Sequence, residues 1–259
     1  MLPPKANAGF VAALADVLDV YARPYDPKRP QVCFDEGGKQ LIGDVRPPLP
    51  VRPGQPWRQD YEYERNGTAN LFMVFEPLAG TRRVEVTERR TNQDFARVVR
   101  RLVDEWYPEA AKIVLVLDNL STHTPAALDE AFEPAEARRL AEKVEWHYTP
   151  KHGSWLNVAE VELAALSKQC LGRRIGSAEE LEREALAWAE RRNEDQVGIN
   201  WRFTTAQASI KLHRLYPSPH PPDRGYTLHR PLPSWLLPPG TDLPLAKVEE
   251  PLRRLPFLQ

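Results

Sequence analysis

Three acidic side chains stand where the sequence predicts that a buried strand or a helix meets a loop. Asp35 lies near the end of the run Gln31–Glu36, Asp118 near the end of the apolar run Lys112–Asn119, and Glu160 near the start of a predicted helix. Carboxylate oxygens without cysteine or clustered histidine suit Mg²⁺ or Mn²⁺ rather than zinc. Two such ions, about 3.5–4 Å apart, stabilise both the attacking and the leaving oxygen of a phosphoryl transfer. The acids therefore predict two-metal phosphodiester chemistry.

Each acid also has a plainer explanation. An aspartate at the end of a strand often forms a turn, and Asp118 is equally suited to capping the helix that follows. For the third acid, helical periodicity leaves two candidates. Glu160 and Glu162 flank the apolar stripe of the predicted helix at 155–171 on opposite sides. Spacing alone therefore does not choose between them.

The elements that must position these acids follow from hydrophobic periodicity. The predicted helices span 7–21, 91–107, 125–132, 134–141, 155–171, 178–193 and 205–215, and the predicted strands span 31–36, 68–78, 82–89, 112–119 and 144–150. This order predicts an α/β architecture, a mixed five-stranded sheet flanked by helices. The near-continuous apolar run at 113–117 predicts a central strand covered on both faces.

Composition narrows the class of protein. The chain has 259 residues, of which 42% are hydrophobic, so it can bury a substantial core. Its 35 Lys and Arg against 36 Asp and Glu leave a net charge of −1, which excludes a purely electrostatic DNA binder. Two cysteines exclude a disulfide framework and favour a reduced, cytoplasmic protein. No apolar run approaches the roughly 20 residues of a membrane span, so we expect no membrane association.

The distribution of proline predicts the domain boundaries. Of 26 prolines, ten lie in residues 1–60, ten in 218–259 and six between, so regular structure is concentrated in the middle. We expect an N-terminal helix and linker in residues 1–30 and a catalytic domain in residues 31–216. Residues 217–259 are expected to form a proline-rich, disordered tail.

Three motifs resemble the catalytic core of DDE-type transposases. They are FDE (Phe34–Glu36), VLDNLSTH (Val116–His123) and YTPKHGSWLNVAE (Tyr148–Glu160). Their order is similar to that in the mariner-related bacterial insertion-sequence family numbered six-thirty, and the resemblance covers about residues 30–215. The separation of 42 residues between Asp118 and Glu160 is longer than is usual in that family.

The resemblance implies an RNase H-like fold and an enzyme that uses two Mg²⁺ or Mn²⁺ ions. Such an enzyme cleaves transposon ends and transfers the 3′ ends to target DNA. It implies Asp35, Asp118 and Glu160 as the catalytic and metal-binding residues, because the Leu-Asn-x-x-Glu motif selects Glu160 over Glu162. The residues expected to support the site or contact DNA are Asn119, His123, His152, Asn157, Arg173 and Arg174.

The resemblance also implies partners. These are DNA, at transposon ends and targets, and either a second copy of the chain or a separate DNA-binding transposase module. Only 34 residues precede Asp35, fewer than the helix-turn-helix modules of the family need, which predicts a truncated or split reading frame. Two alternatives remain. One is an RNase H-like nuclease with Glu162 as a fourth acid, and the other is an inactive remnant that acts by oligomerising with full-length transposase.

Overall fold

The computed structural model describes residues 7–217 of the chain. The helices are α1 (Ala8–Tyr21), α2 (Asn92–Arg101), α3 (Ala126–Ala131), α4 (Pro134–Lys143), α5 (Val158–Gln169), α6 (Ala178–Glu194) and α7 (Thr205–Lys211). The strands are β1 (Gln31–Asp44), β2 (Tyr63–Glu76), β3 (Thr81–Thr87), β4 (Ile113–Leu117) and β5 (Val144–Tyr148). From residue 218 onward, the predicted tail lies outside the described residues.

The five strands form one mixed sheet, in the order β3-β2-β1-β4-β5. Strands β1, β2 and β3 are antiparallel neighbours, as expected for consecutive strands joined by hairpins. Strands β4 and β5 run parallel to β1, and helices make the crossover connections that parallel pairing requires. The prediction of a mixed five-stranded sheet flanked by helices is confirmed.

Strand β1 is longer than predicted and continues past its acidic pair. The prediction that it ends at Asp35 and Glu36 is wrong, because its hydrogen bonds to β2 continue through two glycines as far as Asp44. Pairing with β4 ends much earlier, at Cys33 opposite Val116. Asp35 therefore lies at the fork where β4 leaves β1. Strand β3 still pairs with β2 as far as the position opposite Gly38, and only beyond that point do β1 and β2 continue as a two-stranded arm.

Apolar side chains cover both faces of the sheet. Alternate residues of β4 point to opposite faces, as the pleat requires. Val114 and Val116 pack in a core with α1, α5, α6 and α7. Ile113, Leu115 and Leu117 pack in a second core with α2, α3 and α4. Among residues 7–217, no helix has the length and apolar character needed to cross a membrane.

Helix α1 packs into the same core as the region predicted as the catalytic domain. Asn7 caps the helix, since its side chain accepts a hydrogen bond of 3.0 Å from the amide of Phe10. Leu14 and Val17 are fully buried. At the last turn, the hydroxyl of Tyr21 donates a hydrogen bond of 2.7 Å to the carbonyl oxygen of Leu156, just before α5 begins. Helix α1 therefore holds the start of α5 in place.

Replacing Tyr21 by Phe should destabilise the fold. The substitution keeps the packed ring but leaves the buried carbonyl of Leu156 without its donor, which costs about 1–3 kcal/mol. For a chain of this size, each kcal/mol lowers the melting temperature by about 2–4 °C. Thermal unfolding followed by circular dichroism measures the change. Tyr25→Phe is the matched control, because Tyr25 is 55% exposed, and an equal loss in both variants would contradict the role of Tyr21.

Candidate active site

Asp35 and Asp118 lie side by side at one edge of the sheet. The last parallel pair between their strands is Cys33 with Val116, so each aspartate follows that pair by two residues. Asp118 is also the first residue after β4. The predicted neighbourhood of these two acids therefore follows directly from the register of β1 and β4.

Helix α5 begins at the same edge and carries Glu160 in its first turn. Its N-cap residue, Asn157, is fully buried and makes two hydrogen bonds with its side chain. The amide group donates to the carbonyl oxygen of Phe34 over 2.7 Å, and the side-chain oxygen accepts from the backbone of Ala159 over 3.1 Å. Asn157 therefore ties the first turn of α5 to the residue before Asp35, and a supporting role for it was predicted.

Asp35 is poorly accommodated as an anion. Burial is the main cause that raises the pKa of its carboxyl to about 7, and the negative charges of Asp118, Glu36 and Glu160 add to the rise, against a hydrogen bond from the amide of Glu36. All three sequence-predicted acids therefore contribute to one electrostatic environment.

His123 connects Asp118 to a fourth acid, Glu36. Its Nδ1 lies 2.5 Å from Oδ1 of Asp118, and its Nε2 lies 2.7 Å from Oε2 of Glu36. Burial by itself lowers the pKa of His123, but the two carboxylates raise it to about 9, so the ring is an imidazolium at neutral pH. The hydrogen bond from His123 in turn holds the pKa of Asp118 below its usual value, despite burial.

Glu36 is the residue of the site that sequence reasoning missed. The motif that contains Asp35 also contains Glu36, and alternation along a strand places the two side chains on opposite faces. This alternation is the signal in the sequence that could have drawn attention to Glu36. It indicates the face of the sheet on which Glu36 lies, but it does not identify His123 as the partner of Glu36.

Glu162 has a different environment from Glu160. Its side chain is 1% exposed, its Oε2 lies 3.0 Å from Nε of Arg82, and its Oε1 lies 2.9 Å from Nη2 of Arg192. Arg82 is itself fully buried and binds Asn193 and Val197 on the far side of its guanidinium. Both oxygens of Glu162 are thus paired with cations from β3 and α6, whereas Glu160 is exposed.

The other predicted supporting residues have varied surroundings. Asn119 donates a hydrogen bond to the carbonyl of Thr149, which joins the loop after β4 to the end of β5. His152 is exposed and has a φ of 66°, in the left-handed region. Arg173 pairs with Glu180 and Glu184, and Arg174 pairs with Asp44 at the far end of β1, so both guanidiniums already have acidic partners. Contact of any of these residues with DNA stays a prediction.

The donor set of the site fits a divalent cation in its chemistry. Asp35, Asp118 and Glu160 supply hard oxygen ligands, and the charges of Asp118 and Glu160 add to the effect of burial in raising the pKa of Asp35. Both hydrogen bonds to Asp118, from His123 and from the amide of Leu120, use Oδ1 and not Oδ2. Within residues 7–217, no three Asp, Glu, His or Cys side chains already converge as a metal cage.

The chain is similar to known proteins in sequence profile and in fold. The sequence profile described as DDE superfamily endonuclease matches residues 30–182. The comparison with curated proteins finds no match. Among the similar solved structures is the Mos1 mariner paired end complex with Mn, with a TM-score of 0.50 and 17% identity, in a match that covers 76% of this chain and 60% of that chain. Another is the mariner Mos1 paired end complex with Mg, with a TM-score of 0.52 and 18% identity, in a match that covers 84% of this chain and 66% of that chain. The chain thus spans less than two thirds of the length of these relatives. The similarity in fold confirms the predicted RNase H-like fold.

Asp35→Asn should stabilise the metal-free fold at alkaline pH. A carboxyl whose pKa is raised by folding, here to about 7, loses folding free energy as the pH rises from its unfolded pKa through that value. The asparagine variant should therefore melt several degrees higher than wild type at about pH 8, and the difference should vanish near pH 4. Thermal melts with a chelator present measure this, with Asp26→Asn as an exposed control. An unchanged melting temperature at about pH 8 would contradict the crowding of carboxylates.

Glu162→Gln should destabilise the fold far more than Glu160→Gln. The first change leaves the buried Arg82 without its anion, which typically costs about 3–5 kcal/mol, and also removes the ion pair of the partly buried Arg192. The second removes an exposed charge and should alter stability by no more than about 0.5 kcal/mol. Urea denaturation of both variants measures the two free energies. Equal stabilities would show that the ion pairs of Glu162 contribute nothing to folding.

Proposed function

This chain belongs to the DDE superfamily endonucleases, and on that premise we propose that it is the catalytic domain of a metal-dependent DNA transposase. It cleaves transposon ends and transfers the 3′ ends to target DNA. The observation that carries the proposal is the shared edge of the sheet. Asp35 and Asp118 are level in the β1–β4 register, and Glu160 enters from the first turn of α5. This arrangement suits phosphoryl transfer, in which the protein mainly positions groups and neutralises charge.

Asp35, Asp118 and Glu160 would hold the metal ions. When bound, two Mg²⁺ or Mn²⁺ ions supply charge stabilisation for the attacking and leaving oxygens of the phosphodiester. Two properties of the residues support this assignment. The pKa of Asp35 is raised by burial and, in addition, by the charges of its acidic neighbours, and the hydrogen bonds from His123 and the amide of Leu120 reach Oδ1 of Asp118 and not Oδ2. The similar solved structures are described as complexes with Mn and with Mg.

Glu160, and not Glu162, is proposed as the third ligand. The motif Leu-Asn-x-x-Glu favours Glu160, and the environment of Glu162 supports the same choice. Glu162 is buried between Arg82 and Arg192, so its use as a ligand would leave the buried Arg82 and the partly buried Arg192 without their anion. Because Glu162 is paired with these two arginines, it is poorly suited to be the fourth metal-binding acid that the RNase H-like nuclease alternative requires.

Two side chains next to the acids, those of His123 and Asn157, would act by orienting the proposed metal ligands. His123 holds one oxygen of Asp118, and Asn157 fixes the start of α5 relative to the end of the parallel part of β1. Neither residue needs to touch DNA to support the reaction. Positioning within a fraction of an ångström is worth large factors in rate, because a small misplacement of reacting groups costs about 100-fold.

We further propose the partners of the chain. They are DNA, at transposon ends and targets, and either a second copy of the chain or a DNA-binding transposase module. The Mos1 structures named above are described as paired end complexes of another transposase, which is consistent with assembly on two DNA ends. Membership of the insertion-sequence family numbered six-thirty rests on the motifs at 116–123 and 148–160.

Substituting the proposed ligands should abolish DNA cleavage and strand transfer. Asp35→Asn, Asp118→Asn and Glu160→Gln should each lower activity by more than the roughly 10–100-fold typical of residues that only support a metal ligand. The assay follows a labelled duplex that carries the terminal sequence of the element, with Mg²⁺ or Mn²⁺ and target DNA. Circular dichroism confirms folding.

The matched control for this assay is Glu190→Gln, which removes an exposed charge from α6. It should leave cleavage and transfer unchanged. Cleavage without transfer by the wild-type chain would favour a nuclease. An inactive wild type whose ligand variants are indistinguishable from it would favour a remnant that acts by oligomerisation.

A further inference from the structure

Glu36 forms the buried end of a three-membered chain of side chains that terminates at Asp118. Oε2 of Glu36 lies 2.7 Å from Nε2 of His123, and Nδ1 of the same ring lies 2.5 Å from Oδ1 of Asp118. The first two members are buried and the last is not. The side chains of Glu36 and His123 are 3% and 1% exposed, whereas that of Asp118 is 30% exposed. Only Asp118 is therefore open to solvent.

The middle member of the chain is held rigidly. The ring of His123 packs edge-on against Phe34, with centroids 5.2 Å apart, and against Phe95 at 5.0 Å. Its backbone amide donates to the carbonyl of Leu120 over 3.0 Å, which closes a turn directly after Asp118. A ring confined in this way transmits the position of one partner to the other.

Glu36 is not placed to be a ligand itself. It alternates with Asp35 along β1 and so points to the opposite face of the sheet. One of its oxygens faces His123, and the other lies 4.0 Å from Nη1 of Arg90. Both oxygens of Glu36 are thus directed at cationic groups on the side away from Glu160.

We propose that Glu36 is a positioning residue that, through His123, fixes the carboxylate of Asp118 for metal binding and catalysis. This inference rests on the proposed function. A buried ring nitrogen needs a hydrogen-bond partner, and the contact on one nitrogen sets the orientation of the whole imidazole. Without Glu36, the buried Nε2 of His123 loses its ion-pair partner at 2.7 Å, and the orientation that serves Asp118 is no longer selected. Partners that orient a metal-binding side chain commonly contribute 10–100-fold to metal affinity or activity.

Three variants of the full chain test the proposal. Glu36→Gln keeps an oxygen acceptor for His123, Glu36→Leu removes it, and Glu85→Leu is the matched control. Glu85 shares its row of the sheet with Glu36, since both pair with Phe72, and it is also paired with an arginine, Arg101. Two quantities are measured, the dissociation constant for Mn²⁺ by calorimetry without DNA, and kcat and KM for cleavage of the labelled duplex.

Glu36→Leu should weaken Mn²⁺ binding and lower kcat by about 10–100-fold with KM for DNA unchanged. Glu36→Gln should remain within about threefold of wild type, and Glu85→Leu should match wild type. Wild-type Mn²⁺ affinity in Glu36→Leu would overturn the proposal. So would an equal loss in Glu36→Gln, which would mean that the charge of Glu36 acts directly, or an equal loss in Glu85→Leu, which would mean a general effect on the sheet.

A double variant, Glu36→Leu with His123→Leu, covers the case in which Glu36→Leu does not fold. Replacing both partners by apolar groups leaves no unpaired buried nitrogen, so folding should be retained. Its Mn²⁺ affinity should still be reduced, and a wild-type affinity would overturn the proposal. If the wild-type chain binds Mn²⁺ but does not cleave DNA, the proposed function fails, whereas the comparison of Mn²⁺ affinities still decides the role of Glu36.

Discussion

The carboxylates of Asp35, Glu36, Asp118 and Glu160 crowd one edge of a single sheet, and their mutual repulsion constrains everything built around them. The protein relieves part of that repulsion internally, because the imidazolium of His123 stands between two of the four acids. At Asp35 the remaining repulsion adds to the effect of burial, and both raise the pKa of its carboxyl. Any cation that binds at this edge therefore stabilises the folded chain as well as any reaction performed there.

The orientation of α5 depends on contacts from parts of the chain that are far apart in sequence. Asn157 anchors the helix to β1, Tyr21 anchors the preceding turn to α1, and Glu162 joins its second turn to Arg82 of β3. Each contact is buried, so each polar group is expensive to leave unpaired. Together they set the direction in which Glu160 leaves the helix, which makes the N-terminal helix part of the site's support.

The fork between β1 and β4 gives the sheet two roles. Up to Cys33, β1 is a central strand with parallel and antiparallel neighbours, and beyond Gly38 it is one half of a two-stranded arm with β2. The proline-rich segment 45–62 forms the connection of that arm, and it carries large exposed apolar side chains such as Trp57 and Tyr61. The acids lie where the buried sheet gives way to the arm, so they combine a rigid support with access to solvent.

Local properties of the chain were sufficient for much of this description. The apolar run before Asp118 specifies a central strand, and hydrophobic periodicity specifies the helix that carries Glu160, because such patterns act over a few neighbouring residues. The pairing of Glu36 with His123, the burial of Glu162 between two arginines and the extension of β1 were decided only by the tertiary structure. They depend on strand register and on packing between residues distant in sequence, for which no short-range pattern exists.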